Sequence, residues 1–206
     1  MSLNGFFDKI YCINLDKRPD RWDECVQEFK KHRMIVERFS AADHNHPIVP
    51  KQLDATTNNG NAGLVASNIL ILQDAIANGY KNILILEDDV AFVDDLNEKF
   101  AEWSKDVPEN WDMLYLGGNN WAFTPIQYKN NVYMTQLTYA THAFAINGKS
   151  FQKILDEIKF DVPIDVNYAR QSIHLNNYIF QPHLAWQRES YSDIENKHVY
   201  YDFLRN

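Results

Sequence analysis

Cysteine is scarce in this chain. There are two among 206 residues, Cys12 and Cys25, with no CxxC pair and no Cys/His zinc spacing. A disulfide framework and a structural zinc site are therefore excluded, and a reducing compartment is expected. No apolar run reaches membrane-spanning length, and no leader-like segment opens the sequence, so a cytoplasmic location is expected. Cations are outnumbered, with 20 Lys and Arg against 28 Asp and Glu, a net charge of −8. That balance argues against a nucleic-acid partner and against an anionic membrane surface. The chain also lacks a GxGxxG fingerprint, a GxSxG elbow and a DxDxT motif. Dinucleotide binding, a hydrolase triad and phosphate hydrolysis through an aspartyl nucleophile lose their support.

What is present is a well-filled globular sequence. Apolar residues make up 45% and charged residues 23%, ordinary values for one domain of this length, taken as residues 1–206. Aromatics are in surplus, with 11 Tyr, 12 Phe and 5 Trp, which suits sugar- or base-stacking surfaces as well as packing.

The most informative run is Asn82-Ile83-Leu84-Ile85-Leu86 followed by Glu87-Asp88-Asp89. The apolar part reads as a strand buried on both faces of an α/β sheet. Acids placed where such a strand stops lie at the carboxyl end of the sheet, where open α/β sheets bind ligands. Taken alone, the triplet reads first as a solvated acidic turn making local hydrogen bonds. The competing reading is a site for a hard divalent cation, which would offset the repulsion of adjacent carboxylates.

Other segments read in order along the chain. Residues 9–15 form a first strand, 18–32 a helix, and 34–39 a second strand, a βαβ start that predicts parallel pairing. Residues 43–63 are a long connection without periodicity, and 64–77 are an all-round apolar helix that must be buried. Asp94 is placed to cap the next helix. Residues 111–116 are another buried strand and 119–131 a loop. Residues 132–136 and 138–146 are expected to pair with each other. Helices follow to about 158 and from 163 to about 173, then a short strand at 178–181. Residues 188–206 are a polar, aromatic tail, a lid or a poorly ordered end.

The basic turn Lys17-Arg18-Pro19-Asp20-Arg21 follows the first strand, where helix N-terminal amides favour anions. Arg21 can turn back to grip a ribose or phosphate, or remain a solvated helix-start residue. His142, inside an apolar strand, reads first as a satisfied core residue. Asp165 sits near a helix start, where the dipole favours an acid whatever its function.

Taken together, these segments resemble glycosyltransferase family 25. The likeness rests on INLDKRPDRW at 13–22, GLVASNILILQDAIANGYKNILILEDDV at 63–90, WDMLYLGG at 111–118, THAFAI at 141–146 and SDI at 192–194. It implies a GT-A type nucleotide-diphospho-sugar transferase fold, an α/β domain with a mixed, mostly parallel central sheet flanked by helices. It implies inverting transfer of galactose or glucose from a UDP-sugar to a saccharide or hydroxyl acceptor, with Mn²⁺ or Mg²⁺. On this resemblance Glu87 and Asp89 hold the metal, and Asn14, Arg18, Arg21 and Asp88 lie on the nucleotide side. Asp165 is the first candidate for the general base and Asp193 the second. Where the family carries a Cys and then Ser-His, this chain has Leu64, Ser67 and Asn68. That departure keeps open a second reading, a module that binds nucleotide-sugar or glycan without turnover.

Overall fold

Alternate residues of the central strands face opposite ways, and each set finds its own core. The computed structural model describes residues 1–53, 58–192 and 197–199. Its elements are α1 (Leu3–Phe6), β1 (Lys9–Asn14), α2 (Pro19–Lys31), β2 (Glu37–Ser40), α3 (Asn59–Ala77), β3 (Asn82–Glu87), β4 (Val90–Phe92), α4 (Leu96–Trp103) and β5 (Met113–Tyr115). They continue as β6 (Ile126–Lys129), β7 (Val132–Met134), β8 (Ala143–Asn147), α5 (Phe151–Glu157), α6 (Ile164–Gln171), β9 (Asn177–Phe180), β10 (Ala185–Gln187), β11 (Ser190–Ser192) and β12 (Lys197–Val199). Ile10, Cys12, Leu84 and Leu86 pack with Cys25 and Phe29 of α2 and with Leu96 and Phe100 of α4. Tyr11, Ile13, Ile83 and Ile85 pack with Val65 and Ile71 of α3, Phe151 of α5 and Tyr168 of α6. Helices thus cover both faces of the sheet, which explains why β3 is apolar at consecutive positions.

The main sheet runs β2-β1-β3-β8-β5-β9-β7-β6. β2, β1, β3, β5, β9 and β6 point one way, and β8 and β7 point the other. The carboxyl ends of β1, β3 and β5 therefore share one edge with the amino end of β8. Separate antiparallel pairs join β4 to β10 and β11 to β12. Among the described residues no helix is long and apolar enough to cross a membrane.

Local chemistry sets the element ends. α2 starts with proline in its first turn and ends with Lys30 and Lys31, which suit the negative end of the helix dipole. α3 begins earlier than its apolar run because the Asn58 side chain accepts from the Asn61 amide at 2.8 Å. It ends ahead of Gly79, whose φ of +67° supplies the left-handed turn.

Three expectations are corrected. The helix after β4 is preceded by Asp95, while Asp94 instead pairs with Lys31 at 2.7 Å. The loop expected over 119–131 contains β6. The segments 132–136 and 138–146 do not pair with each other. β7 lies between β6 and β9, and β8 lies between β3 and β5. The reason is local: Leu137 (φ 51°) and Ala140 (φ 65°) sit in the left-handed region and break the extended run.

Gly117 closes the sheet edge under the site. A Cβ there would lie 2.0 Å from the Ala185 carbonyl oxygen and 2.9 Å from His142 Nε2. Backbone cannot yield cheaply, so Gly117→Ala is expected to destabilise by about 3 kcal/mol, read as a lower urea midpoint with an unchanged slope. An unaltered midpoint contradicts this packing.

Candidate functional site

Parallel pairing of β1 with β3 puts Ile13 opposite Glu87, so the residues that follow each strand meet. Asn14, 1% exposed, donates through Nδ2 to Asp88 Oδ2 at 2.7 Å and to the Arg18 carbonyl at 3.0 Å. Its Oδ1 accepts from Arg38 Nε at 2.8 Å. Arg21, in the first turn of α2, reaches back across the strand ends. Its guanidinium lies 2.8 Å from Asp88 Oδ1 and 2.7 Å from Asp89 Oδ2. The main chain of the triplet is held as firmly. The Asp88 carbonyl accepts from Cys25 Sγ and from the Arg188 guanidinium, both at 3.1 Å, and the Asp89 carbonyl accepts from the Arg188 amide at 2.7 Å. Arg188 arrives there because it follows β10, the partner of β4.

This is not a solvated turn. Asp88 and Asp89 are 7% and 8% exposed, which corrects the first reading of the triplet. Glu87 lies beside them and accepts from Thr141 Oγ1 at 2.6 Å. Burial pushes its carboxyl up to about 8, aided by the negative charges of Asp89, Asp88 and Asp165. Burial also raises Asp88, to about 6, against the pull of Arg21.

The other candidates take these positions. Arg18 turns to Asp20, Nε to Oδ1 at 3.0 Å, and its charge is felt at Asp88. Asp165 opens α6, half-buried. Its Oδ1 accepts from the Val166 amide at 2.8 Å, and its charge is felt at Glu87 from across the edge. Asp193 lies outside the described residues. His142 is fully buried with Nε2 3.2 Å from the Ala185 carbonyl, and burial pulls it down to about 4, so it is a neutral core residue, though only half satisfied, since its buried Nδ1 has no partner in the protein. Arg38, Thr141 and Arg188 were not singled out by their chemistry in sequence. Thr141 stands within the THAFAI segment, Arg38 lies on an expected strand with no pattern to mark it, and nothing near Arg188 points to the site.

Asn68, at the family's histidine position, is buried. It donates to the Leu64 carbonyl at 2.9 Å and accepts from the Tyr168 hydroxyl at 2.9 Å. It is a strut between α3 and the helix that carries Asp165.

A cation can be tested against these atoms. Asp89 Oδ1 is buried and has no partner in the protein, an orphan that needs an explanation. With Glu87 it offers hard oxygen donors, which fit Mg²⁺ or Mn²⁺. Among the described residues no group of three or more His, Cys, Asp or Glu is placed to hold a metal. A cation held by these two carboxylates alone would need its further ligands from substrate oxygens and water.

A mixed sheet covered by helices on both faces, with acids at the carboxyl edge of its central strands, is the architecture that the resemblance to glycosyltransferase family 25 implies. Residues 7–161 match the family model described as glycosyltransferase family 25 (LPS biosynthesis protein), and the chain belongs to that family. It is similar to a mimivirus protein named procollagen lysyl hydroxylase and glycosyltransferase, 30% identical over 52% of this chain and 15% of that one. It is also similar to the human inactive glycosyltransferase 25 family member 3, 25% identical over 77% of this chain and 31% of the relative. The chain thus spans less than a third of these relatives. Among solved structures it resembles A197 from STIV, with a TM-score of 0.52 at 11% identity, over 96% of this chain and 94% of that one. That likeness concerns the fold alone.

The acid cluster predicts a pH dependence. In metal-free protein, folded Glu87 keeps its proton up to about pH 8, while its ordinary value is 4.5. Between those values the folded state binds more protons than the unfolded one. The associated stability is present below about 4.5 and is lost as pH rises toward about 8. Melting temperature in EDTA should fall across that range, and Glu87→Gln should flatten the upper part of the fall. An equally steep fall in the variant contradicts the assignment.

Proposed function

We propose that this chain is a transferase module that moves a hexose, galactose or glucose, from a UDP-sugar to a hydroxyl of a saccharide or other hydroxylated acceptor, with inversion. The observation that carries the reading is the buried network in which Arg21 bridges Asp88 and Asp89 while Asn14 ties Asp88 to the first strand. Asn14, Arg18 and Arg21 form the nucleotide side, with Asp88 holding Asn14 and Arg21 in their orientation. Glu87 and Asp89 hold Mn²⁺ or Mg²⁺, which when bound offsets the charge of the diphosphate leaving group.

Inversion in one step needs a base on the acceptor side. Asp165 is our choice, because it stands across the edge from Glu87. Its Oδ2, 3.4 Å from the Ala140 amide, is its more weakly held oxygen. That oxygen takes the proton of the acceptor hydroxyl as the new bond forms. Asp193 is the second choice. A second reading, binding without turnover, is favoured by one observation: the residue at the family's histidine position is committed to Tyr168.

UDP release from UDP-galactose or UDP-glucose with Mn²⁺ separates the two. The transferase reading expects release that Asp165→Asn lowers at least about 100-fold, with thermal stabilisation by the donor retained. Retained turnover in the variant removes Asp165 from the role. Donor affinity without release in the unaltered protein selects the binding module.

A further inference from the structure

Trp121 is 74% exposed, yet the loop that presents it is tightly determined. Asn119 and Tyr139 exchange backbone hydrogen bonds at 2.8 and 2.9 Å. Asn119 Oδ1 accepts from the Trp121 amide at 3.2 Å. Asn120 Oδ1 accepts from the hydroxyls of Thr135 at 3.0 Å and Thr138 at 2.8 Å. At Gly118 a Cβ would lie 2.5 Å from Thr138 Cγ2, so the two loops are pressed together. On this base the Trp121 ring stacks on Tyr139, with centroids 5.6 Å apart and planes 24° apart. A large apolar ring fixed in water by buried polar contacts has a free face with no partner of its own kind.

Its place in the sheet narrows what that face takes. Along the carboxyl edge the order is β1, β3, β8, β5. The guanidinium groups of Arg21 and Arg38 gather at the β1 side. The stack stands between the end of β5 and the start of β8, two to three strand spacings or about 12 Å along the edge from β1. Tyr139 runs directly into Ala140, whose amide faces Asp165, and Thr141, whose hydroxyl holds Glu87. The Asp165 carboxylate beside the stack disfavours a phosphate or another anion there. A neutral, hydroxylated ring fits both features: its C–H face lies on the indole, and its hydroxyls turn to the carboxylates.

We infer that the stacked Trp121 and Tyr139 form the platform on which a neutral pyranose of the acceptor rests, placing its hydroxyl toward Asp165. This rests on the transferase reading for its role, though the platform can be tested without turnover. The stack gives the acceptor side a surface that is separate from the basic nucleotide side. It also assigns one exposed member of the aromatic surplus a task that packing does not explain.

The test uses the full chain labelled with fluorotryptophan and followed by fluorine NMR, with the Trp121 signal assigned by its loss in Trp121→Phe. Methyl galactopyranoside and methyl glucopyranoside are the probes, and UDP is the control. At least one pyranoside should move the Trp121 signal saturably, UDP should not, and Trp121→Ala, compared with the unaltered protein by saturation transfer to the pyranoside's own protons, should weaken that pyranoside about fivefold or more. A Trp121 signal unmoved by both pyranosides, or moved by UDP alone, overturns the platform. If UDP-sugars with Mn²⁺ fail to stabilise the protein while a pyranoside still moves Trp121, the platform stands and the donor reading falls.

Discussion

The arrangement depends on one ion-pair bridge. Two adjacent carboxylates, Asp88 and Asp89, are taken almost wholly out of water and answered by a single guanidinium, that of Arg21. Charges moved into the interior cost several kcal/mol each unless geometry and hydrogen bonds compensate. Here compensation comes from separate parts of the chain: α2 supplies Arg21 and β1 supplies Asn14, while Arg188, just after β10, holds the main-chain carbonyls of Asp88 and Asp89. The bridge therefore ties the first helix, two strands and the late part of the chain to one point. It also leaves the site acid-rich, since Glu87 and the free oxygen of Asp89 lie beyond its reach.

That imbalance orders the sheet edge. Cationic groups collect where β1 and β2 end, and the unneutralised acids face β8. A ligand with phosphate at one end and a neutral ring at the other meets matching chemistry in that direction. The left-handed residues Leu137 and Ala140 belong to the same logic, because they turn the chain so that Ala140 and Thr141 face Asp165 and Glu87. Strain of this kind persists only where surrounding contacts over-determine it, and Asn120 with the Thr135 and Thr138 hydroxyls does so.

Much of this was legible in the sequence because it is written in local pattern. The Ile-Leu alternation of β3 followed by acids, the proline start of α2 and the Asn-Gly end of α3 each speak through neighbouring residues. That β7 and β8 pair with other strands and not with each other was not legible. Two consecutive extended-looking runs suggest a hairpin, and nothing in the letters at Leu137 and Ala140 announces left-handed backbone. Burial of the acid triplet was hidden for a different reason: it requires Arg21 and Arg188, the latter 100 residues downstream of Asp88 and unmarked by any motif. The role of Arg38 is invisible in the sequence because its partners Asn14 and Asp16 come together with it only when β1 and β2 pair.

The acids at the end of β3 are proposed to be completed by a cation and a diphosphate together. The direct measurement is the melting temperature of the chain with UDP-galactose or UDP-glucose, in Mn²⁺ and in EDTA. Stabilisation by a UDP-sugar is expected only when Mn²⁺ is present, growing with ligand concentration as linkage requires. Equal stabilisation in EDTA, or none in either condition, contradicts it.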